Sequence, residues 1–146
     1  MAQSPYQLLD QFGSRAGVSV RASGGAKTLE YRQPGITVRI TVPDEVLEWF
    51  VDVLDGAATV VVQDWSDYDG YSSPSRERCA ELMASDIVEF ISNLLSRDIR
   101  MTVAKERTLF GVLVSRLLKK EVGPLKEKQI LEWMNNGSWE RAIPFP

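Results

Sequence analysis

From Val18 to Val42 apolar and polar side chains alternate, and two turn signals divide the run. Val18, Val20 and Ala22 alternate with Ser19, Arg21 and Ser23; after Gly24-Gly25, Leu29 and Tyr31 alternate with Thr28, Glu30 and Arg32. Pro34-Gly35 then suits a type II turn, because proline presets the first central position and glycine tolerates a positive φ at the second. Beyond it Ile36, Val38, Ile40 and Val42 alternate with Thr37, Arg39 and Thr41. A period of two puts successive side chains on opposite faces, so three antiparallel strands with one buried and one wet face are predicted. Arg21, Arg32 and Arg39 fall on the wet face, with Glu30 among them. Ser23 to Thr28 is no phosphate loop: Ala26 separates Gly25 from Lys27, the upstream glycine is missing, and a strand follows.

The other segments give weaker periodicities. Residues 4–12 read as a short helix with Ser4 as N-cap, Pro5 first and Gly13 at its end. Pro43-Asp44-Glu45 is taken to open a first long helix that Gly56 ends, with Val46, Leu47, Phe50, Val53 and Leu54 on its apolar side. Ala57 to Trp65 reads as a buried strand centred on Val60-Val61-Val62. A second long helix is predicted from Ser73-Pro74 to about Arg97, packing Cys79, Met83, Ile87, Phe90, Ile91 and Leu94 on the sheet. Ile99 to Ala104 and Leu109 to Arg116 suggest a hairpin. Gly123-Pro124 is taken to open a final helix carrying Ile130, Leu131, Trp133 and Met134, which Asn135-Asn136-Gly137 stops. Trp139, Ile143 and Phe145 are expected to anchor the tail. The expected fold class is α+β in one globular domain over 1–146: a mainly antiparallel sheet of about five to six strands, two long helices on one face, and short N- and C-terminal helices.

Charge is distributed unevenly along this chain of net charge −3. Residues 44–98 hold thirteen acidic and three basic groups, and both flanks are net basic. Between Asp44 and Tyr71 lie eight acids and no Lys or Arg. On a helix, Glu45, Glu48, Asp52 and Asp55 would line one face without the lysines that usually relieve repulsion between such acids. Asp64-Trp65-Ser66-Asp67-Tyr68-Asp69-Gly70-Tyr71 then reads as an exposed loop where acids meet aromatics, a composition found at binding hot spots, with Trp65 expected to fold back on the core. The candidate partner-binding residues are Glu45, Glu48, Asp52, Asp55, Asp64, Asp67, Tyr68, Asp69 and Tyr71. An EF-hand is rejected, because its first ligand would be Trp65 and its bidentate glutamate Arg76.

Chemistry is narrowed further by what is missing. The sequence has no histidine, which removes Ser-His and Cys-His dyads and imidazole metal ligands. Cys79 stands alone, so it makes no internal disulfide and fits a reducing compartment, read as cytoplasmic. The first residues lack the pattern of a signal peptide, and no apolar run approaches a membrane span. No catalytic residue, metal or cofactor is expected, and no nucleic acid, since Lys119, Lys120, Lys126 and Lys128 are the sole basic cluster of an acidic chain. The expected function is non-enzymatic binding or inhibition of a protein partner with a basic surface, in concrete form a bacterial immunity protein neutralising a cognate basic toxin. Alternatives are a metal-dependent hydrolase using Asp64, Asp67 and Asp69, and a self-associating structural or regulatory subunit.

Overall fold

The computed structural model describes residues 5–44, 46–68, 75–107 and 125–142. A short helix α1 (Pro5–Leu8) continues as a 3-10 turn over Leu9–Phe12, and buries Leu9 and Phe12. Five strands follow as an antiparallel meander: β1 (Val18–Ser23), β2 (Ala26–Gln33), β3 (Ile36–Pro43), β4 (Glu48–Asp55) and β5 (Val60–Asp67), in the order β1-β2-β3-β4-β5. Helix α2 (Arg76–Ser96) crosses to a second sheet of β6 (Ile99–Arg107), β7 (Leu125–Asn135) and β8 (Ser138–Arg141), also antiparallel.

The alternation over 18–42 becomes the three predicted strands. Gly24 and Gly25 both have positive φ (60° and 78°), the backbone of a two-residue hairpin turn whose twist matches that of its strands. Leu29, Tyr31, Val38, Ile40 and Val42 fill the inner face and meet the predicted stripe of α2, from Cys79 to Leu94. The side chain of Ser75 caps α2 by accepting from the Arg78 amide at 3.1 Å, a bond of about 1 kcal/mol. Trp49 lies 5.9 Å from the Phe90 ring and Phe90 lies 5.6 Å from Trp133, so α2 carries an aromatic bridge from one sheet to the other. Below it, Arg97 donates to the Met134 carbonyl at 3.0 Å and to Asn135 Oδ1 at 2.8 Å, tying the end of the helix to the last hairpin.

Two expected helices are strands, and with them the expected fold class is corrected. Among the described residues α2 is the one long helix, no C-terminal helix is present, and the strands form a five-stranded and a three-stranded sheet. Residues 48–55 pair with β3 in the register Val38↔Val53 and Ile40↔Val51, which drives Trp49, Val51 and Val53 into the core. Acids at 48 and 52 satisfy a helical spacing and a strand face equally. β-branched and aromatic residues at 49, 50, 51 and 53 favour the strand, and β3 offers it a ladder of backbone partners. Likewise Leu131 and Trp133 reach the core by alternation along β7, with Ile99 opposite Trp133 and Arg100 opposite Glu132. The expected helix stop is a hairpin turn: Asn136 and Gly137 have φ of 51° and 84°, and Trp139 lies on the returning strand beneath the Arg100 guanidinium, 4.2 Å from the ring centre. The expected strand at 109–116, and Ile143 and Phe145, lie outside the described residues.

Candidate functional site

The outer face of the five-stranded sheet is built by the polar half of the alternation. Across it run two rows set by register: Arg21, Thr28, Thr41, Phe50 and Trp65 in one, and Ser19, Glu30, Arg39, Asp52 and Gln63 in the next.

Its β1–β3 half is a guanidinium cluster. The Glu30 side chain is 9% exposed; Arg21 Nη2 stands 3.3 Å from its Oε1, Arg32 Nη2 3.4 Å from its Oε2 and Arg39 Nε 4.0 Å from Oε1. Arg39 Nε is buried and has no hydrogen-bond acceptor, so it acts on Glu30 as a nearby charge. One carboxylate faces three cations, which leaves this half net positive. Along β4 and β5 the character changes. Phe50 and Trp65 stack with centroids 6.4 Å apart and planes 23° from parallel, and Trp65 is 57% exposed. Asp52 accepts from Gln63 Nε2 at 3.3 Å, and Glu48 stands opposite Asp67 at the end of the pair. The face therefore has a basic half and an acidic, aromatic half.

Of the nine candidate residues, the five whose side chains are described do not form one surface. Glu48 and Asp52 share the outer face. Asp55 is consumed by its own turn, its Oδ1 accepting from the amides of Ala57 at 2.9 Å and Thr59 at 3.0 Å. Asp64 points to the inner side, where it meets a cleft between β5 and β7. Tyr68 is 1% exposed: its hydroxyl donates to Asp86 Oδ2 at 2.6 Å and accepts from Trp49 Nε1 at 3.1 Å. Burial, reinforced by the Asp86 acceptor, pushes the Tyr68 phenol well above the ordinary tyrosine range although the Trp49 and Ser66 donors pull the other way, so it stays a neutral donor. Glu45, Asp69, Tyr71 and the Asp67 side chain lie outside the described residues.

Trp65 and Tyr68 have exchanged the roles expected of them. Counting in twos from Val62 would have shown it: Val62, Asp64 and Ser66 face inward with Tyr68 beyond them, while Gln63 and Trp65 face out. Strand β5 thus wears its largest ring on the open face and an acid on the core side, the reverse of ordinary burial. Among the described residues no three acidic or sulfur side chains come together to hold a metal ion. None of the described helices is long and apolar enough to cross a membrane. Comparison with protein families, curated proteins and solved structures found no match.

Proposed function

We propose that this chain is a non-catalytic binding protein that receives a cationic protein partner on the β4–β5 half of its open sheet face. Trp65 carries the reading: a ring 57% exposed, steadied by its stack on Phe50, is a preorganised anchor. Glu48 and Asp52 beside it would steer and orient a basic surface, while the arginine half would repel one docked the wrong way round. A basic toxin and the immunity protein that neutralises it, meeting in the cytoplasm, is the concrete form of such a pair. Of the three aspartates in the hydrolase alternative, Asp64 is the one whose side chain is described, and it sits near Lys128 and Arg141.

A photo-crosslinking residue at position 65, expressed in native cells, tests this reading. It should trap a basic protein that the same residue placed at exposed Val103 does not. Binding of the purified partner should fall about thirtyfold with Trp65→Ala and weaken as salt rises. Equal trapping at positions 65 and 103, or affinity indifferent to salt, would reject it.

A further inference from the structure

A cleft of about 160 Å³ opens where β5 and β7 approach without pairing. Its floor is apolar, made by Val51, Val53 and Val62 of the five-stranded sheet, Phe90 of α2 and Leu131 of β7. Charged residues from both walls join the lining: Asp64 on β5 and Lys128 on β7, with Arg141 of β8, which has a contact of its own. Asp64 is the anomalous member, since it stands opposite the buried Val51 on the face that the sheet otherwise uses for its core. Within the protein its described bond is to its own neighbour, the Trp65 amide at 2.9 Å, and no ion pair joins it to Lys128 across the cleft.

An inward charge can serve simply as a guard against edge-to-edge pairing. A guard, however, requires neither a cation across a gap nor an apolar floor between them. A carboxylate and a lysine ammonium held apart over a hydrophobic floor match a small zwitterion, whose ammonium and carboxylate project from one end of an apolar body. Size points the same way: a cavity of about 150 Å³ takes benzene, with six heavy atoms, and this one suits an apolar body of that order. We infer that the cleft binds a free apolar α-amino acid of the leucine or phenylalanine class, its ammonium on Asp64, its carboxylate on Lys128, and its side chain against Val62, Phe90 and Leu131. The site lies on the opposite side of β5 from Trp65 and stands or falls apart from the docking face.

Methyl-resolved NMR on the full chain, titrated with L-leucine, L-phenylalanine and other apolar amino acids, tests the assignment. One of them should give saturable shifts at Val51, Val62 and Leu131. The bound amino acid's carboxylate analogue without the ammonium, and its amine analogue without the carboxylate, should each bind at least about tenfold more weakly. Asp64→Asn should weaken the amino acid by a similar factor while leaving the carboxylate analogue unaffected, a pattern that a general loss of folding would not produce. Absence of saturable shifts across the panel would overturn the proposal, as would carboxylate analogues that bind as well as the amino acids themselves.

Discussion

Replacing Tyr68 by Phe removes one oxygen and separates two accounts of this residue. As an exposed contact it would leave stability unchanged. As the buried pin between Trp49 and Asp86 it removes a donor to a carboxylate, a bond in the class of about 1.5–3 kcal/mol, and the acceptor that the Trp49 indole now uses. The two effects overlap, so the expected loss is about 3 kcal/mol, or roughly 9 °C in Tm for a chain of this size. Urea unfolding followed by tryptophan fluorescence gives the first number and a thermal scan the second.

The pH dependence supplies an independent check. The phenol is held protonated in the folded state above the ordinary tyrosine value of about 10, while the unfolded chain releases its proton there. Above pH ~10 the unfolded state therefore binds fewer protons, and the stabilisation drains away as pH rises, by about 1.4 kcal/mol per pH unit. Tyr68→Phe lacks this phenol, so the gap between the two proteins should be constant at neutral pH and narrow above about 10. A loss under about 0.5 kcal/mol, or a gap that stays constant through the alkaline range, would refute the account of Tyr68 as a buried hydrogen-bonded pin.

Two further substitutions probe the scaffold. Glu30→Gln should cost about 1–2 kcal/mol, because three arginines lose their shared counter-charge yet remain partly hydrated. The deficit should shrink in ~1 M NaCl in urea titrations, since salt screens the repulsion left behind; a deficit unmoved by salt would assign Glu30 a packing role. Ala58 adopts φ of 61° in the turn that Asp55 organises, so Ala58→Gly should raise stability by about 0.5–1 kcal/mol after glycine's own entropy is counted. A lower urea midpoint would show that this turn holds no such strain.

Legibility in the sequence followed how many independent signals agreed. Over 18–42, period, β-branching and turn residues all pointed the same way, and in α2 the stripe from Cys79 to Leu94 spans too many turns to be anything but a helix. At 44–55 two periods fitted, and the acidic stripe taken as a helix face was a clue against the helix, since its unrelieved repulsion has no counterpart when Glu48 and Asp52 stand on a strand and Asp55 binds turn amides. Asn136-Gly137 is a strong hairpin pair, but Ile130, Leu131, Trp133 and Met134 before it also fit a helical face, and after a helix the same pair is a stop signal.

By itself the sequence determined the β1–β3 sheet with its arginine face, the packing stripe of α2, and the exclusion of histidine chemistry, because these depend on local spacing or on composition alone. Tertiary structure decided the rest. Pairing with β3 made 48–55 a strand, and pairing with β6 did the same for 125–135. The register of β5 on β4 then turned Trp65 outward and Asp64 inward and left Tyr68 in the core. A shift of one residue in that register would exchange the two faces, and the ladder that fixes it is made by residues far apart in the chain.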